Sequence, residues 1–439
     1  MTIRPAAIAQ PRIRWRIFSM LLAFATCVYF QQRSITVAAE RIMPELSLTQ
    51  MQIGWLQWAF VLSYACLQFP GGIVGQRIGA RRALTGMMLL AVAATAVMPL
   101  TPWVMSGTVL FVALFASQFL LGVAHAPFMP VCAGVMEAWL PPNRWALAQG
   151  LHTFFLQAGA GIATAVLVPL IALLGWQSAL FWTALPPLAI IALWYWYGRD
   201  TPREHGAVSE QELAELSIEG SASPDSSISL ARVGKILASR DILLLTLSYI
   251  SMNYVFYLLA NWCFLYLVQE RHFATLEGGV LASLPPFGAA LGAGLGGWST
   301  EILRKRFGVR WGYRLIPLIA LPMAGALLLG VVYSANAYLA ALALTLAYGS
   351  IELTEGAYWA STMRIAQADT MAATGVLNTG GNIGGTIGIP IVAYLSGHQA
   401  WNAALILGTV AALVAAGAWF GIDASRPMAT EDTLAAPPA

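Results

Sequence analysis

Arg33 stands inside a long apolar run, with Tyr29 and Phe30 one helical turn before it. A guanidinium within a membrane-length segment costs on the order of 3 kcal/mol or more, so something must offset it. Its planar fork matches a carboxylate, which it can hold through two charge-assisted hydrogen bonds, with Tyr29 and Phe30 as an aromatic wall. Pairing with backbone carbonyls near the outer end of the segment is the other way to satisfy it. His125 is next, because imidazole changes charge near neutral pH. It reads as a proton carrier, a second positive contact for an anion, or a hydrogen-bonded packing residue. Glu355, with Glu352 one turn earlier, is an acid within a hydrophobic segment and reads either as a proton-coupling group or as a structural tie. Asn253, Tyr257 and Asn261 recur every four residues, and Asn378 and Asn382 repeat the pattern later. Such polar stripes must face protein or water rather than lipid. With Gln157 and Tyr64 they make a pocket suited to a polyhydroxylated acid, interhelical hydrogen bonding being the plainer use of the same groups.

These residues need elements to hold them, and the composition says which. Of 439 residues, 58% are hydrophobic and only 10% charged, against about 25% charged in ordinary soluble proteins. The lipid bilayer is therefore an expected partner, and helices the expected element, because a lipid-exposed strand leaves backbone groups unpaired. Apolar segments predict twelve spans, near 15–38, 52–75, 82–100, 105–139, 145–172, 177–198, 242–268, 278–301, 313–333, 337–361, 369–396 and 400–422. The first segment is read as an uncleaved span, since it runs to about Ala38 and carries Arg33. All Lys and Arg except Arg33, Arg41 and Arg271 fall in loops of one side, which predicts cytoplasmic N and C termini. Trp55, Trp58, Trp194 and Trp196 read as interface anchors.

The hydrophilic stretch 199–240 contains Glu204, Glu210, Glu212, Glu215 and Glu219, and is expected to be a linker with one surface helix after Ser209. It divides the chain into a cytoplasmic arm 1–14, a six-helix bundle 15–198, the linker, a second six-helix bundle 241–422 and a cytoplasmic tail 423–439. A shift of 225 residues supports the division, mapping Gly72 onto Gly297, Gln76 onto Glu301, Gly150 onto Gly375, Gln157 onto Asn382 and Gly159 onto Gly384. The fold class expected is thus an all-α membrane protein of two pseudo-symmetric bundles, with a site between them near the midplane.

The segment Gly72-Ile-Val-Gly-Gln76-Arg77-Ile-Gly79-Ala-Arg81-Arg82 resembles the loop signature of the major facilitator superfamily. Gln68-Phe-Pro-Gly-Gly72, Ala126-Pro-Phe-Met-Pro130, Leu281-Ala-Ser-Leu-Pro285, Thr354-Glu-Gly-Ala-Tyr-Trp359 and Asn378-Thr-Gly-Gly-Asn382-Ile-Gly-Gly385 resemble its anion:cation symporter family, which includes hexuronate, aldonate and other organic-anion porters. The resemblance implies the major facilitator fold and makes Arg33 the ligand of the substrate anion. This chain departs from it at four places, with Gln32, Gln76, Gln118 and His125 where the family carries charged residues. Two of those, an acid in the first span and a glutamate in the fourth, resemble proton-coupling sites, which leaves His125 and Glu355 as the candidates here. Gln76, Arg77, Arg81, Arg82 and Glu301 are expected at a cytoplasmic gate, where loops of the two halves meet when that side closes, although ordinary positive-inside residues look much the same.

The function expected is a secondary active carrier of a small organic anion, a sugar acid or other carboxylate, by alternating access in a bacterial inner membrane. Proton-coupled symport is the leading form; anion exchange, uniport, and a non-transporting sensor of the same fold are the alternatives. An enzyme is excluded by the lack of a nucleophile–base set or phosphate-binding loop. Cys27, Cys66, Cys132 and Cys263 match no metal or redox spacing, so no metal or cofactor is expected. A net charge of +3 leaves no basic footprint for nucleic acid, and a monomer is expected.

Overall fold

A computed structural model of the chain describes residues 13–216, 229–273 and 275–428. The expected arm and tail lie largely outside the described residues, as does the middle of the linker, 217–228. Every regular element described is helical. In chain order they are α1 (Ile13–Glu45), α2 (Gln50–Ile78), α3 (Ala80–Val97), α4 (Gly107–His125), α5 (Phe128–Trp139), α6 (Trp145–Ala184) and α7 (Pro186–Tyr197). The linker contributes α8 (Glu210–Glu215) and α9 (Leu230–Ala238). The rest are α10 (Arg240–Gln269), α11 (Thr275–Tyr333), α12 (Ala337–Glu352), α13 (Glu355–Ala366), α14 (Thr370–Gly397) and α15 (Trp401–Ala418).

Among the described residues nine helical segments are long and apolar enough to cross a membrane. Three of them, Trp145–Tyr197, Ser283–Tyr333 and Ala337–Gly397, run for 53, 51 and 61 residues. At 1.5 Å per residue each is more than twice as long as a hydrocarbon core of about 30 Å, so none is one straight crossing. Each is broken by left-handed backbone: Gly175 (φ 77°), Gly308 (φ 76°) and Gln367 (φ 46°). Large apolar side chains such as Val168, Leu291, Ile319 and Phe420 point outward, the face a bilayer would cover. Trp55, Trp58 and Trp196 are exposed as anchors would be, but Trp194 is fully buried, packed edge-on against Phe24 with its N–H given to the Arg81 carbonyl. It is a core residue.

Two expected spans are discontinuous. Span 105–139 breaks between His125 and Phe128, where Pro127 follows the helix end, and span 337–361 breaks between Glu352 and Glu355. The linker holds two helices rather than one. Glu212 of α8 accepts hydrogen bonds from the backbone N–H groups of Ile13 and Arg14 (3.1 and 3.0 Å), capping the positive end of α1, a contact of about 1 kcal/mol.

α1 packs along α6, α2 along α4, α10 along α14 and α15, and α11 along α12. Across the middle, α2 meets α14 and α6 meets α11. Those crossings are backbone to backbone. A Cβ on Gly72 would strike the Met371 carbonyl, and one on Gly297 would strike that of Ala146; Gly375 abuts Gln68 and Gly150 abuts Ala293 in the same way. The 225-residue shift exchanges the members of each pair, so the sequence repeat is also a repeat of contacts.

Candidate functional site

α14 presents a glycine face to α10. Gly385 leaves room for the Tyr257 ring, whose hydroxyl then donates to Asn382 Oδ1 at 2.9 Å. One turn along, Asn378 donates its amide to Gln68 Oε1 of α2, and Tyr64 hydrogen-bonds with both. Capping fixes α2 at its start: Thr49 Oγ1 accepts from Gln52 N–H (3.2 Å) and Gln52 Oε1 from Thr49 N–H (2.8 Å), worth about 1 kcal/mol. On α1, the charge of Arg33 acts on the hydroxyls of Tyr29, Tyr257 and Tyr348. Arg33 is exposed and, among the described residues, has neither hydrogen-bond nor ion-pair partner. A guanidinium without such a partner, within electrostatic reach of three phenols, can receive an anion bearing hydroxyls.

Two carboxyls close the side formed by α12 and α13. Glu355 accepts from Tyr249 (3.0 and 3.3 Å) and from Trp359 Nε1 (2.8 Å). Glu352 is buried, its Oε2 unpartnered, and its charge acts on Tyr29, Tyr249 and Tyr348. It therefore stands nearer than Glu355 to the Arg33 group.

Other predicted residues lie elsewhere. Phe30 packs into a separate apolar cluster with Ile35, Ala38 and Leu167. The Asn253 and Asn261 amides bond the carbonyls of Tyr249 and Tyr257 on their own helix, and Asn261 is exposed. Gln157 is half-buried on α6 without a hydrogen bond among the described residues. His125 is fully buried beside Phe60, its Nε2 3.2 Å from Gln31 Oε1 and its Nδ1 unpartnered, in a pocket lined by α1, α2 and α4.

At the arginine-rich end the helices are shut together. Gln76, at the end of α2, donates to the Ala368 carbonyl and Asp369 Oδ1 (2.9 Å each) and accepts from Ala372 N–H (3.3 Å) at the start of α14. Asp369 also holds Arg232 of α9 (2.6 Å). Glu301 pairs with Arg144 and Lys305, each at 3.1 Å. Shifting Gln76 by 225 residues gives Glu301, and shifting Arg144 gives Asp369, so the two bridges are mates. Arg77 is exposed, as is Arg82. Arg81 is not between the halves: its backbone N–H bonds Asp200 (2.6 Å) and its guanidinium stacks over Tyr195. Gln68, Tyr348, Arg144, Arg232 and Asp369 were missed from sequence. The 225-residue shift applied to Arg144 would have found Asp369, and helical spacing from Glu352 would have found Tyr348.

Residues 21–371 match the Major Facilitator Superfamily. The chain belongs to that superfamily. Its members among the similar proteins are transporters and not enzymes, and this superfamily chain is an all-helical integral membrane protein. It is similar to the probable sulfoacetate transporter SauU of Cupriavidus necator, 25% identical with 88% of this chain and 87% of that one covered. It is similar to the probable galactarate/D-glucarate transporter GudP of Bacillus subtilis (25%, covering 79% and 77%) and to the Bacillus subtilis hexuronate transporter (24%, covering 81% and 82%). Among solved structures, the proton:xylose symporter XylE superposes with TM-score 0.74 at 12% identity, over 92% of this chain and 94% of XylE, which speaks to the fold.

Proposed function

We propose that this superfamily member is a secondary carrier of a small organic anion, a sugar acid or related carboxylate or sulfonate, working by alternating access. The observation that carries the reading is Arg33: a charged fork without a hydrogen-bond or ion-pair partner among the described residues, within electrostatic reach of phenols on α1, α10 and α12. Relatives named for sulfoacetate, aldarates and hexuronates fit that receptor, since each of those ligands is an anion. The three double-length segments, each bent once, support twelve crossings in two six-helix bundles, 15–198 and 241–422, joined by 199–240. Placing the arginine-rich end, and with it both termini, in the cytoplasm of a bacterial inner membrane follows from the positive-inside bias.

Proton coupling, in this reading, runs through the carboxyls at the α12–α13 break. They lie within electrostatic reach of the Arg33 cluster, whereas His125 is bonded to Gln31 and meets that cluster only through Phe60, which stacks on Tyr64. Substrate carboxylate on Arg33 and a proton on Glu352 or Glu355 would then load neighbouring places. Chain purified into proteoliposomes, given labelled aldarate, uronate, aldonate and sulfoacetate with and without an inward proton gradient, tests this. Uptake of at least one acid, lowered at least about thirtyfold by Arg33→Lys because an ammonium cannot make the bidentate contact, is the expected result. Binding without flux for every acid favours a sensor, and full activity of Arg33→Lys removes the anchor.

A further inference from the structure

Between α1 and α7 lies a mainly apolar cleft, lined by Met20, Ala23, Ile190 and Leu193, with Arg16 as its one arginine. The 225-residue shift carries two of its lining residues, Arg16 and Trp196, onto Asp241 and Gly421, which line a cleft at the corresponding end of the second half. The cleft there, about 190 Å³, is of opposite character: Arg240, Arg310, Arg314 and Arg426 line it with Asp241 and Asp423.

The carboxylates do not use up these four arginines. One oxygen, Asp423 Oδ2, serves both Arg310 (3.5 Å) and Arg426 (3.4 Å), while Oδ1 is taken by the backbone N–H (3.1 Å) and hydroxyl (2.5 Å) of Ser425. Asp241 accepts from the backbone N–H of Asp423 at 2.8 Å. Arg314 gives Nε to the Ile422 carbonyl, its one hydrogen bond among the described residues. Four guanidiniums thus face two carboxylates that are partly spent on backbone. The cleft is flanked by Phe420 and Trp311, which are 69% and 48% exposed on the surface a bilayer would cover.

We propose that this cleft binds a phosphate group, and that the phosphate belongs to an anionic phospholipid whose chains lie along Phe420 and Trp311. Guanidinium forks match phosphate oxygens bidentately, and basic pockets between helices at the membrane surface hold acidic headgroups. The cleft is thus a receptor for acidic lipid, separate from the Arg33 site.

The full chain in phosphatidylcholine nanodiscs, titrated with phosphatidylglycerol and followed by its melting temperature and by lipid adducts in native mass spectrometry, tests the assignment. Both side chains of the double variant Arg310→Gln, Arg426→Gln are exposed, so the fold should survive, and phosphatidylglycerol binding should weaken about thirtyfold. Arg82→Gln removes an exposed charge elsewhere and should leave binding unchanged. Asp423→Asn lowers the competing negative charge and should strengthen it. Equal retention of the two lipids by the native chain, or undiminished binding by the double variant, overturns the site. Saturation by inorganic phosphate in short-chain neutral detergent, with no added gain from phosphatidylglycerol, overturns the lipid assignment.

Discussion

Replacing Gln76 by Ala should open the arginine-rich end of the carrier. The side chain makes three bonds across the halves, two donated to Ala368 O and Asp369 Oδ1 at 2.9 Å and one accepted from Ala372 N–H at 3.3 Å, and it is buried. Two neutral bonds at about 1 kcal/mol each and one to a carboxylate at about 2 kcal/mol bound the loss. The 3.3 Å contact is long and all three share one side chain, so about 3 kcal/mol is a fair figure. That corresponds to about 150-fold in the ratio of closed to open conformers. Thr374 of α14 is fully buried on the closed side. With exposed Cys66 changed to Ser, maleimide labelling of Thr374→Cys reports the opening. Labelling should speed up about a hundredfold when Gln76→Ala is added, scaled by the open fraction. A rate within twofold of the parent, with unchanged transport, would refute the claim that this amide holds the gate.

The mate of that bridge should matter less. Glu301→Gln loses ion pairs to Arg144 and Lys305, whose side chains are 41% and 55% exposed, and such pairs contribute about 0.5–1 kcal/mol; the same labelling assay should change only a few-fold. Glu355→Gln keeps the bond accepted from Tyr249 or Trp359 but cannot release a proton, so gradient-driven accumulation should fall while substrate exchange survives; His125→Gln should keep accumulation, and the reverse pattern would return coupling to the histidine. His205, in the linker, is packed between Trp139 and Tyr197, and burial, then the nearby Arg199 charge, hold its imidazole below the ordinary value. A folded value below the unfolded one means the unfolded chain takes up the proton first. The stability His205 contributes is therefore present above about pH 6.5 and lost as pH falls. The drop in melting temperature from pH 7.5 to 5.5 should shrink in His205→Gln, and an unchanged drop would acquit this residue.

Much of the frame was legible because lipid imposes it: apolar runs, turn clusters and positive loops report directly on what a bilayer tolerates. Polar side chains resisted the same treatment. Asn253, Asn261, Asn378 and Asn382 all sit on one-turn spacings, yet Asn253, Asn261 and Asn382 spend their amide N–H groups on their own helix. Tyr257, by contrast, reaches Asn382 because Gly385 gives its ring a place to lie. Periodicity says that a polar stripe faces protein; the partner helix decides whether an amide is left for a ligand. Arg81 failed for a related reason. A basic motif in a loop does not reveal that Asp200 and Tyr195, far along the chain, will claim it.

The repeat supplies the remaining argument. α4 ends at His125 and α5 begins at Phe128, while α12 ends at Glu352 and α13 begins at Glu355, so the two breaks are the same structural event in the two halves. Gly122, three residues before the first break, touches Ser63 of α2; Gly349, three before the second, touches Gly288 of α11, and 63 and 288 are again 225 apart. Equivalent backbones thus carry unlike chemistry: an imidazole bonded to Gln31 in one half, two carboxyls beside phenols in the other. A broken helix lets a polar group sit at membrane depth without orphaning the ladder, because its neighbours re-satisfy the freed backbone. Both halves retain that provision, and in the second it stands beside the phenols that Arg33 acts on. If coupling were left to His125, its proton would act on a substrate at Arg33 through Phe60, which packs against His125 and stacks on Tyr64. In the proposed reading the carboxyls at the second break need no such relay, so the loss of familiar acids from the first half does not by itself argue for an uncoupled carrier.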